Sequence, residues 1–278
     1  MKSSYSIGRL FGIPIRVHIT LLLFLPLFAL SFAPGDGAAG LLFGLLGAVG
    51  LFGSVVLHEL GHSLVARAKG ARILDILLLP IGGMARLDHL PHRPRDEMET
   101  ALAGPAVSLA LGLLGIWIAP HLLALNQTLA IMVRELGSIN LMLAAFNLIP
   151  SLPMDGGRVF RAALTPKLGR VAATRLAANV AKVIAGLFGL WAFWPVLHGG
   201  GVRFTLLLIA FFVYQTAGAE ARQAEQEAIQ LRQRGQGNGV WRIPDEDVLV
   251  SPPPYVVRER PTAAPPPSRS GGWFPKRK

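Results

Sequence analysis

Residues 55–70 read VVLHELGHSLVARAKG, and within them His58, Glu59 and His62 form an H-E-x-x-H pattern. On a helix, side chains four residues apart share a face, so both imidazoles can point at one metal ion. Glu59 stands about 100° round from His58, close enough to serve as general base for a water at that metal. Two histidines do not complete a catalytic zinc site. A third protein ligand is required, with the fourth position left open. The stretch FNLIPSLPMDGGRVFRAAL offers Asp155. Its prolines and glycines also suit a plain helix-ending turn, with Asp155 as an N-cap. Set beside an incomplete zinc site, the ligand role is the stronger reading.

These residues need elements to hold them, and the composition says which. Of 278 residues, 52% are hydrophobic and 15% charged, and the formal net charge is +11. Mean hydropathy is +0.48. An ordinary soluble domain carries about 25% charged residues. The chain has no cysteine, which excludes disulfides, thiolate metal ligands and a thiol nucleophile. Six stretches approach the roughly 20 apolar residues of a spanning helix. They are Val17–Ala33, Ala38–Ala66, Ala101–Ala119, Leu129–Leu148, Ala173–Trp194 and Thr205–Ala219. With these spans, 24 of the 27 Lys and Arg fall on one side and only Arg203 lies in the opposite loops. Arg134 and Lys182 fall within spans. This bias predicts both termini in the cytoplasm, and it accounts for the basic charge without nucleic acid. The first span is read as retained rather than as a cleaved signal peptide, because its apolar run is longer than a typical h-region.

A membrane helix tolerates ionisable groups only when they are paired or metal-bound. His58 stands nine residues before Arg67, about 13 Å deep. A span that leaves and returns brings Asp155 toward the same depth. In ILDILLLPIGGMARLD, residues 73–88, β-branched and apolar residues precede Gly82 and Gly83. A strand edge there could bind a substrate as an added strand. His89, His92, His121 and His198 are placed in solvated loops. The fold expected is thus an all-α polytopic membrane protein of about six transmembrane helices with a short re-entrant β segment. Residues 1–219 form the membrane core and 220–234 a juxtamembrane helical extension. The Pro-rich segment 235–278 reads as a disordered cytoplasmic tail.

HELGH in an early span and NLIPSLPMDGGR in a later one together resemble the site-2 protease family of intramembrane zinc metalloproteases. GIPIRVHIT, LPIGGMARLD and ALAGPAVSLALG are similar to further segments of its short bacterial and archaeal branch, which lacks PDZ or paired regulatory nucleotide-binding domains. The resemblance covers roughly residues 7–219. It implies one zinc ion on His58, His62 and Asp155, with Glu59 as general base. It further implies that Asn147 holds the scissile carbonyl. His18 matches a family histidine but is not assigned as a ligand. The substrate implied is a transmembrane protein segment cut within the lipid bilayer of a prokaryotic inner membrane. An upstream site-1-type protease could act first, in signalling, or the task could be signal-peptide clearance. Two alternatives are a non-catalytic membrane scaffold and a metal-sensing transporter. Retention of all four core residues weighs against the scaffold. A transporter should carry more ionisable residues along its spans.

Overall fold

The computed structural model describes residues 4–33, 37–80, 82–88 and 93–237. The described chain runs β1 (Ser4–Leu10), β2 (Ile13–His18), α1 (Ile19–Phe32), α2 (Ala38–Ala68), β3 (Ile73–Leu79) and β4 (Gly82–Leu87). It continues through α3 (Pro94–Leu122), α4 (Gln127–Asn147), α5 (Asp155–Leu168), α6 (Arg170–Phe193) and α7 (Phe204–Gly237). A 3-10 turn over Trp194–His198 extends α6.

Five of these helices are long and apolar enough to cross a membrane: Ala38–Ala68, Pro94–Leu122, Gln127–Asn147, Arg170–His198 and Phe204–Gln230. They correspond to the second to sixth expected spans. The first is shorter than expected. Val17 and His18 belong to β2, and α1 has only 14 residues. At 1.5 Å per residue it is about 21 Å long, against a hydrocarbon core of about 30 Å. His18 marks the boundary: its Nδ1 accepts the Thr20 backbone N–H at 3.3 Å and so caps the helix. Helix α7 runs unbroken to Gly237, and the rest of the expected tail, 238–278, lies outside the described residues.

The described chain is mostly helical but not all-α. A four-stranded sheet is ordered β1-β2-β3-β4, antiparallel at each outer pair and parallel between β2 and β3. Strands β3 and β4 form where 73–88 reads as a β segment. The β1–β2 hairpin is the unforeseen part. It turns on Phe11 and Gly12, both at positive φ (51° and 80°), between paired Leu10 and Ile13. That is the backbone of a two-residue primed turn, normally announced by Asn-Gly or Asp-Gly. Phe in its first position conceals it.

Strand β2 alternates buried Ile13, Ile15 and Val17 with partly exposed Pro14, Arg16 and His18. The buried set packs on α2. Ile13 and Ile76 meet Leu60, while Ile15, Val17 and Leu78 meet Phe52 and Val56. The sheet therefore lies along the part of α2 that carries His58 and Glu59. On its other side, buried Asp75 holds the Arg86 guanidinium by Nε at 2.6 Å and by Nη2. That hydrogen bonding raises the Arg86 pKa. Beyond α2, Lys69 bridges to Glu99 at 2.5 Å and Asp96 at 3.0 Å in the first turns of α3, and these carboxylates raise its pKa.

Small residues set the helix spacing. Ala177, Ala178, Ala181 and Ala185 of α6 pack against Val213 and Ala217 of α7 and against Leu152 and Met154 before α5. Lys182 lies 5.9 Å from the centre of the Tyr214 ring. His121 and His198 end helical segments rather than lying in loops, each hydrogen-bonded to a carbonyl four residues back; His89 and His92 fall outside the described residues. Helix α1 approaches α2 most closely at Gly44, where a Cβ would stand 2.0 Å from the Ala29 carbonyl oxygen. A clash with backbone cannot be relieved by a rotamer change. Gly44→Ala is therefore expected to cost about 1–3 kcal/mol, read as a lower thermal midpoint in detergent, while Gly53→Ala, with open space at its Cβ position, leaves the midpoint level or higher.

Candidate active site

Helix α2 presents His58 and His62 one turn apart, both buried. Their Nε2 atoms are 3.2 Å apart. Asp155 Oδ2 lies 3.4 Å from His58 Nε2 and 3.2 Å from His62 Nε2. Four ligands arranged tetrahedrally at 2.0–2.2 Å from zinc stand about 3.3–3.6 Å from one another. The three atoms thus span nearly one face of such a tetrahedron. Among the described residues this is the one group of three His, Cys, Asp or Glu able to share an ion.

The tautomers point the same way. His62 Nδ1–H donates to the Thr100 carbonyl at 2.7 Å, which leaves its Nε2 as an acceptor. His58 Nδ1 hydrogen-bonds with Ser108 Oγ at 2.8 Å. With Nδ1 protonated there too, two lone pairs and a carboxylate oxygen converge with no donor between them. A divalent cation satisfies all three, and the donor set suits zinc.

Asp155 opens α5 but does not cap it. Met154 is the N-cap, and the carboxylate turns to the imidazoles. The two glycines after it are steric necessities. A Cβ on Gly156 would stand 2.3 Å from the Leu148 carbonyl oxygen, and one on Gly157 would stand 2.4 Å from the Leu152 nitrogen. The start of α5 thereby nests in the loop that precedes it.

Helix α3 holds both histidines. Thr100 and Ser108 supply the partners of their Nδ1 atoms, and Gly104 leaves room for the His62 ring. A Cβ on Gly104 would fall 2.2 Å from His62 Nε2. Sequence reasoning missed these three. Their signal was a polar and small stripe at spacings of four on an apolar helix. Gly61, which reads as a small residue permitting helix approach, does face α3: a Cβ there would meet the Ala103 carbonyl oxygen at 2.8 Å.

Glu59 faces β4. Its Oε2 accepts the Ala85 backbone N–H at 3.2 Å. Gly83 lies against its side chain, since a Cβ on Gly83 would fall 2.5 Å from Glu59 Cγ. Gly82 has φ +140°. The unpaired edge of β4 thus runs past the carboxylate. Glu59, Gly82, Gly83, Asn147 and the three candidate ligands all line one cavity of about 670 Å³. Asn147, the last residue of α4, donates its amide to the Leu143 carbonyl at 3.0 Å. Val55, Phe146 and Phe212 supply apolar wall, with Arg158 and Glu220 as charged lining.

Comparison with known proteins places this arrangement. The model of peptidase family M50 matches residues 46–134 and 123–190. A zinc metalloprotease of Methanocaldococcus jannaschii is 38% identical over 92% of this chain and 69% of its own length. A Synechocystis sp. protein, provisionally named a zinc metalloprotease, is 36% identical over 81% of this chain and 62% of its own. The chain thus spans about two thirds of these relatives. The solved site-2 protease from Methanocaldococcus jannaschii superposes with a TM-score of 0.54 at 36% identity, covering 78% of this chain and 95% of that one.

Gly104→Ala tests the role of α3. The methyl group helps the helix intrinsically but intrudes on His62, so zinc affinity is expected to fall about 10–100-fold. Equilibrium dialysis with metal analysis reads this, and undiminished affinity would show that the ring does not need the space.

Proposed function

The chain belongs to peptidase family M50, the site-2 proteases, and we propose that it is a zinc metalloendopeptidase that cuts peptide bonds within the transmembrane segments of other membrane proteins. The observation that carries this is the three-atom ligand set, with separations of 3.2–3.4 Å, beside a carboxylate in a shared cavity.

Zinc bound there would supply a Lewis acid that polarises the scissile carbonyl and brings the pKa of water to about 7. His58, His62 and Asp155 hold the ion, and Ser108 and the Thr100 carbonyl fix the imidazole orientations. Glu59 takes the proton of the attacking water on its free carboxylate oxygen and delivers it to the leaving nitrogen. Asn147 hydrogen-bonds the substrate carbonyl or backbone from across the cavity. A helical substrate must be unwound before its carbonyl is reachable, and unwound backbone needs partners in lipid. The open edge of β4 at Gly82 and Gly83 offers them, by pairing the substrate as a fifth strand past Glu59. The re-entrant reading of 73–88 belongs to this proposal.

The same reading makes α1 a sixth, short span and sets both termini in the cytoplasm of a prokaryotic inner membrane, supported by the one-sided Lys and Arg distribution. Residues 1–219 then form the protease core and 220–234 a juxtamembrane extension. Signalling after an upstream site-1-type cleavage and signal-peptide clearance are both uses of this chemistry.

Two outcomes test the assignment. Glu59→Gln should retain one zinc per chain yet lose cleavage of a model transmembrane substrate by at least about 100-fold; parental turnover would remove Glu59 as the base. Asp155→Ala should lower zinc occupancy, and a strong chelator should abolish parental cleavage until zinc is restored. Unchanged occupancy in Asp155→Ala would show that Asp155 is not a ligand.

A further inference from the structure

Two of the largest fully buried side chains among the described residues are charged: Arg161 on α5, 2% exposed, and Glu97 on α3, 1% exposed. Arg161 Nε is 3.2 Å from Glu97 Oε1, and Nη2 makes a shorter contact with the same oxygen. Glu97 Oε2 also holds Arg170 Nη1 of α6 at 2.7 Å, and Arg161 Nη1 reaches Glu220 Oε2 of α7 at 3.3 Å. One connected set of charges thus joins four helices beside the metal site.

The packing gives this pair a particular lever. Helix α5 carries Asp155, and α2 carries the two histidines. Yet α5 packs principally on α3 and α6, and α2 principally on α1, α3 and the sheet. The helix common to both ligand-bearing elements is α3. Along it, Glu97, Thr100, Gly104 and Ser108 follow one another at spacings of three, four and four, so they share a face. Thr100, Gly104 and Ser108 fix the imidazoles, and Glu97 grips α5 less than two turns after Asp155. An apolar contact would permit α5 to slide along α3. A guanidinium fork on a carboxylate defines direction as well as distance. Fully buried ion pairs add little stability over apolar packing, so their value here lies in register.

We propose that Arg161 and Glu97 are the positioning pair of the metal centre: through α3 they set the Asp155 carboxylate in register with the two imidazoles, and Glu220 extends that register to α7. This rests on the zinc reading of the site. Removing either charge outright strands its partner and endangers folding, so the informative variants conserve charge. Arg161→Lys replaces the fork by a point charge. Glu97→Asp shortens the carboxylate by one methylene.

Full-length parent, Arg161→Lys, Glu97→Asp and His58→Ala are purified in detergent, stripped of metal and titrated with cobalt(II). Its visible bands report coordination geometry. The parent should bind one cobalt, and His58→Ala should abolish that site. Arg161→Lys and Glu97→Asp should each bind about tenfold more weakly or worse, with altered bands, while the metal-free melting temperature stays near that of the parent. Parental affinity and spectrum in both variants would overturn the positioning role. So would a loss of affinity that only accompanies a matching fall in metal-free melting temperature, because that marks general stabilisation. If the parent itself binds no cobalt, the metal reading fails first and this proposal falls with it.

Discussion

Three candidate ligand atoms converge within 3.4 Å in a buried, largely apolar setting: the Nε2 atoms of His58 and His62 and the Oδ2 of Asp155. With both imidazoles protonated on Nδ1 alone and no cation between the three atoms, such a meeting is repulsive, and burial magnifies the cost. Much of the surrounding architecture serves to enforce it. Donors that could relieve the repulsion are kept away, since each imidazole spends its Nδ1 on α3. Bulk that could separate the groups is trimmed to glycine at positions 104, 156 and 157. The site is preorganised for a metal in the sense that the protein has already met the cost of bringing its ligands together.

The same economy of space governs the other wall. Val55 and Glu59 lie so near β4 that residue 83 has no room for a side chain. Gly83 thereby seats the Ala85 N–H on the Glu59 carboxylate. Its immediate role is to bring a strand edge to Glu59, and contact with a substrate would be a consequence of that approach. A substrate strand added there would lie about 4.8 Å from β4, the spacing of neighbouring strands in a sheet. Glu59, the strand edge and the two imidazoles are therefore fixed relative to one another through a single helix, α2.

How legible this was depended on the range of each interaction. The H-E-x-x-H pattern is local: helical periodicity alone places His58 and His62 on one face. Asp155 was legible because a metal site with two ligands is incomplete and because NLIPSLPMDGGR resembles a family pattern. The partners on α3 were not legible. Thr100 contributes its carbonyl, which every residue possesses, and Gly104 contributes an absence of atoms. Glu97 and Arg161 carried no signal, since nothing local shows that they meet. The five long helices emerged from hydropathy because lipid demands uninterrupted apolar runs. The β1–β2 hairpin did not, because Phe11 adopts a positive φ that its residue type disfavours. For the same reason the first apolar run was read too long: Val17 continues a strand, and apolar composition cannot tell a strand from the start of a helix.

Membrane helices associate without a hydrophobic driving force between them, so their registers must come from shape and polar contacts. Here shape contributes where alanines of α6 meet α7. More is needed where the candidate metal ligands stand on helices that scarcely touch. At that point the chain buries Glu97 and Arg161 and brings Arg170 and Glu220 to them, matching two carboxylates to two guanidiniums. Leu, Ile or Phe could fill the same volume with less desolvation, but they make no directional contact along the axis of α5. A zinc–ligand bond tolerates deviations of only about 0.2 Å. Around the candidate ligands, directional charge contacts between α3, α5, α6 and α7 thus work together with close approach at Gly61 and Gly104.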